Sequence, residues 1–209
     1  MSTSPALVDR LTEKAGLVSA VVRTVASMDE ALAYVAETCD AKEACQILAS
    51  GCDAPLSGTA EALCATKQQK IVCAPDLPED EVAKLTTLCE ARGIAVITKG
   101  MRERLGGIDI ALTMAAAGIA ETGSIVVRST DEEVRLATMI AETHIAVLPE
   151  STIMADSYDF EPTLVEWMGQ APNYTAFITG PSRTADIERV LALGVHGPLE
   201  LHILILEGK

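Results

Sequence analysis

Aromatic side chains are scarce in this sequence, and basic side chains are outnumbered by acidic ones. Phe, Trp and Tyr make up 3% of the 209 residues although 49% are hydrophobic, so the core must consist largely of aliphatic side chains. The 16 Lys and Arg residues stand against 30 Asp and Glu residues, which gives a net charge of −14. Such a chain repels phosphate backbones and anionic lipids. We therefore expect neither nucleic acid nor a membrane surface as a partner.

Long apolar segments are missing as well. The longest apolar run, around residues 115–120, contains Gly118 and is far too short to span a bilayer. Near the N-terminus, Asp9, Arg10 and Glu13 interrupt the apolar core that a secretory signal requires. Together these features predict a cytoplasmic protein.

The spacing of the six cysteines does not suit an iron–sulfur cluster or a structural zinc site. They stand at positions 39, 45, 52, 64, 73 and 89, and none forms the Cys-x-x-Cys pair that such sites favour. We interpret them as small buried side chains in a reducing compartment, with a metal site as the alternative. The sequence also lacks a Gly-x-Gly-x-x-Gly fingerprint and a Walker loop, so it predicts no metal and no cofactor.

What the sequence does contain is a regular alternation of apolar runs and amphipathic helices. Five apolar runs predict strands, at residues 71–73, 94–98, 108–112, 125–127 and 144–148. Such continuous apolar strands are typical of an α/β fold with a mostly parallel sheet and helices on both faces. The length suits one domain, with residues 1–60 as a partly helical helix–strand–helix segment packed on a core of residues 61–209.

Helix starts can be located from their capping residues. Residues 27–30 (Ser-Met-Asp-Glu) and 130–133 (Thr-Asp-Glu-Glu) have the pattern of a capping box, in which a hydroxyl and a carboxylate satisfy free N–H groups. The second box predicts a helix that continues through Ala141.

The segment of residues 173–198 carries the densest structural signals. The apolar run at residues 175–179 predicts a buried strand that ends in a turn at Gly180. With a final strand at residues 199–206, the segment is predicted to form a βαβ unit. In open α/β sheets ligands lie outside the carboxyl ends of strands, so we expect function in this loop.

The predicted helix of this unit has a polar first turn. Ser182 or Thr184 provides its cap, Asp186 lies in the first turn, and Gly194 ends the helix in a left-handed conformation. Free N–H groups at Gly180 to Thr184 could receive a phosphate or carboxylate, and Arg183 would add a bidentate contact. Asp186 competes for the same donors unless it pairs with an arginine, so an anion clamp and a structural brace both remain open.

A second polar turn lies at residues 118–124. Between Gly118 and Gly123 it holds Glu121 and Thr122, and Ser124 closes it. Because glycine permits positive φ, the N–H groups of such a turn can converge on an anion. The alternative is that Glu121 hydrogen-bonds neighbouring backbone and stabilises the turn. We expect this turn and the segment at Ser182 to face the same pocket.

Two further residues are functional candidates, and each of them also has a structural alternative. His196 lies in the loop before Gly197 and could shuttle a proton, or brace that loop through hydrogen bonds. Arg135 could reach a ligand carboxylate, or be a solvated surface residue. His144 and His202 lie in or beside strands, which favours a core or surface position for both.

The polar segments at residues 118–124 and 180–198 resemble those of a known family. GPSRTADIE at residues 180–188 with GVHGP at residues 194–198, and GIAETGS at residues 118–124, resemble the lactate utilisation protein C family, the LUD domain. The resemblance implies a fold similar to ribose-phosphate isomerases and CoA transferases, and in the latter a loop glutamate acts as nucleophile. It thereby implies that role for Glu121.

The resemblance also implies a role in oxidising L-lactate to pyruvate together with separate iron–sulfur subunits. We expect a substrate-handling or assembly component that binds a small organic acid or a phosphate, with a homo-oligomer left open. The alternatives are a stand-alone enzyme of the CoA-transferase or sugar-phosphate-isomerase kind, and a small-molecule sensor without turnover.

Overall fold

The fold is that of a computed structural model, which describes residues 5–42, 69–104, 107–171, 173–185, 191–193 and 197–208. Its α-helices in this part of the chain are α1 (Pro5–Leu17), α2 (Met28–Ala41), α3 (Glu79–Glu90), α4 (Glu132–Ile140) and α5 (Ser157–Met168). Its strands are β1 (Val21–Val25), β2 (Ile71–Cys73), β3 (Ala95–Ile97), β4 (Ile108–Met114), β5 (Ala117–Ile119), β6 (Ser124–Ser129), β7 (Ala141–Pro149), β8 (Ile153–Met154), β9 (Tyr174–Ile178), β10 (Arg183–Ala185), β11 (Leu191–Leu193) and β12 (Glu200–Leu206). Short 3₁₀ turns lie at Met101–Glu103 and Glu150–Thr152.

The central layer is a six-stranded sheet in the order β1-β12-β7-β4-β2-β3, and all its strands run parallel. Strands β4, β7 and β12 are buried along almost their whole length, because both of their faces are covered. This burial is the physical reason for their continuous apolar sequences. The predicted α/β class with a mostly parallel sheet is confirmed.

Helices α2 and α3 cover one face of this sheet. Their apolar side chains, among them Leu32 and Leu85, are fully buried in one cluster with the sheet. Helix α2 begins at the predicted capping box, where the Ser27 hydroxyl accepts from the N–H of Glu30 at 3.2 Å. The Glu30 carboxylate in turn accepts from the N–H of Ala26 at 2.8 Å.

The opposite face carries helices α1 and α4 and a second sheet, in the order β8-β5-β6-β9. Strand β6 shows how this sheet is held on both sides. Ile125 and Val127 are buried in a cluster with Ile203 of the large sheet. Val126, between them, packs in a cluster with Phe160 of helix α5, since alternate residues of a strand point to opposite faces.

The few aromatic side chains are concentrated where helix α5 meets the second sheet. The Phe160 ring lies 5.4 Å from the Trp167 ring and 5.8 Å from the Phe177 ring, both with edge-to-face geometry. The guanidinium of Arg128 stacks over Trp167 at 4.6 Å. Edge-to-face ring pairs add to the free energy gained by burial, so this cluster stabilises helix α5 on the sheet.

The predicted βαβ unit at residues 173–198 is wrong. Strand β9 belongs to the second sheet and pairs antiparallel with β6, and it is a half-exposed edge strand rather than a buried one. Strand β10 begins at Arg183, where a helix was predicted, and pairs antiparallel with β11. The hydroxyls and acid that suggested a helix cap are a local signal, and strand pairing outweighs it here. Residues 186–190 and 194–196, which include Asp186 and Gly194, lie outside the described residues.

Helix α4 begins one residue later than the capping box predicted. Asp131, rather than Thr130, is the cap, and its carboxylate accepts from the N–H of Glu133 at 2.9 Å. The Glu133 carboxylate does not form the hydrogen bond to the start of its own helix that a capping box would have. It accepts from the N–H groups of Gly100 and Met101, both at 3.0 Å, and so holds the loop that follows β3.

The N-terminal part of the chain is built into the large sheet. Strand β1 lies between α1 and α2 in sequence and forms the edge next to β12. The predicted boundary at residue 60 lies outside the described residues, so the division at that point stays a prediction. Within the described ranges, none of the helices combines the length and the apolar character needed to cross a bilayer.

Glycine at position 123 is predicted to be essential for packing, and Gly93 provides a matched control. Both residues have positive φ, +67° and +71°. A Cβ at Gly123 would lie 2.2 Å from the backbone N of Ala15, whereas one at Gly93 would meet nothing within 4 Å. Gly93→Ala should therefore lower the free energy of unfolding by about 1–2 kcal/mol, because alanine is strained in the left-handed conformation but meets no neighbouring atom.

Gly123→Ala should cost more than about 4 kcal/mol, because helix α1 must also move. Urea denaturation of both variants measures the difference. Equal decreases in the free energy of unfolding of the two variants would show that contact between helix α1 and the turn does not restrict position 123.

Candidate functional site

A pocket of about 290 Å³ opens between the two sheets near the end of helix α4. Its lining combines a few hydroxyls and one imidazole with apolar side chains. The described lining residues are Thr138, Met139, His144, Tyr174, Ala176, Phe177, Ile178, Thr179, Gly180, Pro181, Ser182, Gly197, Pro198 and Leu201. This volume is near the lower end of the range of small-molecule sites, about 300–1,000 Å³.

The pocket lies at the amino ends of β7 and β12, not at the carboxyl ends as predicted. The Ser182 N–H donates to the carbonyl of Pro198 at 2.9 Å, and the Leu199 N–H donates to the carbonyl of Glu142 at 2.7 Å. Pro198 and Glu142 both lie at the amino-terminal ends of parallel strands. The prediction is wrong because it rests on residues 175–179 forming a strand of the parallel sheet. As an antiparallel strand of the second sheet, β9 ends at the opposite edge.

The two polar segments meet at the C-terminal end of helix α1. A Cβ at Gly123 would lie 2.2 Å from the N of Ala15, and one at Gly180 would lie 2.4 Å from the O of Val18. Gly180 also has positive φ, +72°. Only glycine lets both turns approach the helix backbone this closely.

Helix α1 ends in a Schellman motif whose left-handed residue is a serine. The N–H of Ala20 donates to the carbonyl of Ala15 at 3.0 Å, and that of Ser19 to Gly16 at 3.0 Å. Ser19 has a φ of +66°, a conformation that non-glycine residues seldom adopt. The Ser19 hydroxyl accepts from the Arg183 guanidinium at 2.7 Å, which ties β10 to this helix end.

This contact bears on the two roles considered for Arg183. Its side chain is exposed and its observed partner is Ser19, whereas Asp186 lies outside the described residues. Thr184 is a residue of β10 rather than a helix cap. Anion binding by Arg183 stays a prediction, and it would have to occur beside the Ser19 contact.

Glu121 lies in the turn between β5 and β6, and its side chain is exposed. Its N–H donates to the carbonyl of Ala155 at 3.0 Å. Glu121 is not among the described residues that line the pocket. An acyl-transferring carboxylate needs desolvation, which an exposed position does not supply, so the geometry offers no support for a nucleophilic role.

Gly118 and Gly123 serve different purposes in this segment. Gly123 is the turn glycine with positive φ, as predicted. Gly118 lies within β5, where a Cβ would come within 2.8 Å of the Leu148 side chain and 3.3 Å of that of Leu11. Close packing, rather than a turn, therefore accounts for Gly118.

Three hydroxyls connect this turn to the pocket. The hydroxyl oxygens of Thr122 and Ser124 are 2.7 Å apart, and those of Ser124 and Thr179 are 2.6 Å apart. Thr179 lines the pocket, while Ser124 is 4% exposed. None of the residues 118–124 is among the described lining residues, so the expectation that the two segments face one pocket stays a prediction.

His144 is a pocket residue that sequence reasoning assigned only to a core or surface position. Its side chain is 1% exposed, it lines the pocket, and its Nε2 lies 2.8 Å from the hydroxyl oxygen of Thr113. Burial lowers the pKa of His144 to about 4, so the imidazole is neutral at physiological pH. A histidine inside an apolar strand was the available signal, but a core histidine has the same signature.

The remaining candidates are placed around the pocket rim. The Arg135 guanidinium lies 5.4 Å from the ring centre of Tyr174, which lines the pocket. Gly197 also lines it, and a Cβ there would lie 3.2 Å from the Cβ of Ser182. His196 is outside the described residues, so its role stays a prediction.

The cysteines within the described ranges, Cys39, Cys73 and Cys89, are buried and free. Burial raises their pKa values, to about 12, 12 and 11, because it disfavours the thiolate. Among the residues that the structure describes, no group of three or more His, Cys, Asp or Glu side chains is placed to hold a metal ion. The buried-thiol interpretation therefore fits these three residues.

The buried imidazole predicts a pH dependence of stability. The pKa of His144 is about 4 when folded and 6.5 ordinarily, so between these values the unfolded chain binds a proton that the folded chain does not. The contribution of the neutral His144 side chain to the free energy of unfolding is fully present above about pH 6.5. It is lost as the pH falls towards 4. We expect a difference of about 3 kcal/mol in the free energy of unfolding.

His144→Gln, which removes the titration, should isolate this effect. The gap in free energy of unfolding between wild type and variant should change by about 3 kcal/mol when the pH is lowered from about 7 to about 4. Other titrating groups contribute to both proteins alike. If the free energies of unfolding of wild type and variant changed with pH in parallel over this range, His144 would not be buried in its neutral form.

Comparison with known proteins identifies the family. A model of the LUD domain matches residues 8–206. Lactate utilization protein C of Shouchella clausii is 31% identical over 103 residues, which cover 48% of this chain and 45% of that protein. Lactate utilization protein C of Geobacillus kaustophilus is 34% identical over 94 residues, covering 44% of this chain and 39% of that protein. The chain thus spans less than half the length of these curated relatives.

A solved structure supports the architecture. A DUF162 family protein from Deinococcus radiodurans superposes with a TM-score of 0.56 at 16% identity, over 96% of each chain. At this identity the likeness concerns the fold alone. The family model, in contrast, covers nearly the whole sequence, and on that basis the chain belongs to the LUD domain family.

Proposed function

We propose that this protein is a component of a lactate utilization system that binds a small organic acid in the pocket between its two sheets. The observation that carries the proposal is the pocket itself, with its buried neutral imidazole and its hydroxyl groups. The relatives named lactate utilization protein C support the choice of ligand class.

The charges around the pocket suit an anionic ligand. The described lining residues include no carboxylate side chain, although the whole chain has a net charge of −14. Arg135, stacked on Tyr174, supplies a positive charge near the rim. A small organic acid would direct its carboxylate towards that rim and its short carbon chain towards Ile178 and Leu201, which lie among the apolar lining.

In this proposal the electrons of lactate oxidation pass to partner subunits. The cysteine spacing of the sequence does not match a cluster-binding motif, and no dinucleotide fingerprint is present. Partner proteins that carry iron–sulfur clusters would complete the reaction, and this chain would hold or deliver the substrate. This division of labour predicts that the protein co-purifies with such proteins and that the chain alone oxidises little L-lactate.

Filling the pocket should weaken ligand binding. Ala176 lines the pocket, whereas Ala83 is exposed on helix α3, on the far side of the large sheet. Ala176→Leu should weaken binding of L-lactate about tenfold or more, since the added side chain occupies the ligand's volume. Isothermal titration calorimetry measures the affinities.

Ala83→Leu is the matched control and should leave the affinity unchanged. Failure of the wild-type protein to bind L-lactate, or equal affinities of wild type and Ala176→Leu, would contradict the proposal. Thermal melting of both variants verifies that they are folded.

A further inference from the structure

The hydrogen bond between Thr113 and His144 has a direction that follows from the burial of the hydroxyl. The Thr113 side chain is 0% exposed, and its hydroxyl oxygen lies 2.8 Å from Nε2 of His144. Among the residues that the structure describes, this nitrogen is the only hydrogen-bond partner of that hydroxyl. A buried hydroxyl proton without an acceptor is costly, so the hydroxyl donates and Nε2 accepts through its lone pair.

The other ring nitrogen, Nδ1, must therefore carry the proton of the imidazole. A neutral imidazole has one proton, which lies on the nitrogen that does not accept. His144 is neutral at physiological pH, because burial lowers its pKa to about 4. A protonated ring nitrogen has no lone pair left for a hydrogen bond, so Nδ1 can only donate.

Nδ1 is open to the pocket. Within the described ranges it forms no hydrogen bond with the protein, and it is not one of the fully buried side-chain atoms that lack a partner. His144 lines the pocket, so Nδ1 is reached from there. Ala146, on the same face of β7, packs in one cluster with Ile125 of the second sheet. The ring is thus directed between the two sheets, where the pocket lies.

The neighbours of His144 indicate which part of a ligand this N–H group meets. Leu201 is paired with His144 across β12 and β7, and it belongs to the apolar lining that receives the carbon chain in the proposed function. With the ligand carboxylate directed towards Arg135, the polar group left for His144 is the one on carbon 2.

We propose that the Nδ1–H group of His144 determines specificity, by donating to the oxygen on carbon 2 of a 2-hydroxy acid and excluding the corresponding 2-amino acid. This inference rests on the proposed function, since it concerns the ligand of the same pocket. A hydroxyl oxygen has lone pairs to accept with, whereas an ammonium group has three protons and none. L-Alanine differs from L-lactate only in that group. Its ammonium would face the Nδ1–H group, and both donors would lack an acceptor.

Nitrogen-15 NMR spectroscopy tests the position of the proton without any ligand. The chemical shift of an imidazole nitrogen differs between its protonated and unprotonated forms. At neutral pH the ring of His144 should show a protonated Nδ1 and an unprotonated Nε2. Its signals are those that disappear in both His144→Gln and His144→Asn. A protonated Nε2 would overturn the inference.

Calorimetric titration with L-lactate and L-alanine tests the recognition. The wild-type protein should bind L-alanine at least about tenfold more weakly than L-lactate. In His144→Asn the amide atoms are as many bonds from Cβ as Nδ1 is, and they can present either an N–H group or an oxygen. The ratio of the two affinities should therefore fall by about threefold or more.

His202→Asn is the matched control. His202 does not belong to the described pocket lining, and its Nδ1 lies 2.9 Å from the hydroxyl oxygen of Tyr34, on helix α2 at the other face of the large sheet. The same substitution there should leave the ratio of affinities unchanged. Thermal melting shows whether each variant is folded.

The outcomes separate this inference from the proposed function. If the wild-type protein does not bind L-lactate, the proposed function fails, whatever the position of the proton. If it binds L-lactate and L-alanine equally well, or if folded His144→Asn keeps the wild-type ratio, His144 does not select the ligand while the proposed function stands. Should His144→Asn not fold, the NMR result and the wild-type ratio decide.

Discussion

The close approach of two glycine turns to the C-terminal end of helix α1 determines how the two sheets are placed. Gly123 belongs to the β5–β6 turn and Gly180 follows β9, so both are attached to the second sheet. Their would-be Cβ positions lie 2.2 and 2.4 Å from backbone atoms of residues 15 and 18. Helix α1 leads directly into β1 of the large sheet, so these contacts couple one sheet to the other. A side chain at either glycine would force them apart.

The pocket is a consequence of this arrangement. Gly180 is held against helix α1, and the nearby residues Thr179 and Ser182 line the pocket. His144 lies below them on β7, where burial keeps it neutral. The site therefore combines one desolvated imidazole with hydroxyls near an exposed edge. Such a site can distinguish ligand groups by hydrogen bonding rather than by a strong positive charge.

Local signals in the sequence were reliable where the chain determines its own structure. The apolar runs at residues 71–73 and 108–112 are strands of the parallel sheet, and Ser27 caps helix α2 as its pattern indicated. The same kind of signal misled at Ser182, where hydroxyls and an acid suggested a helix and the chain instead forms β10. The strand Arg183–Ala185 forms only with its antiparallel partner Leu191–Leu193. No local pattern reveals that pairing.

The amino-acid sequence by itself determined the α/β class and the positions of the glycine turns, because apolar runs, capping residues and glycines act within a few residues of themselves. Glu121, Ser182 and Thr122 were recognisable as polar turn residues in the same way. Only the tertiary structure decided that β9 joins a second sheet, where it pairs antiparallel with β6, and that the pocket opens at the amino ends of β7 and β12. It also decided that Thr179 and His144 share one pocket while Glu121 is left outside. These outcomes depend on contacts between residues far apart in the chain, whose free energies exceed any local preference.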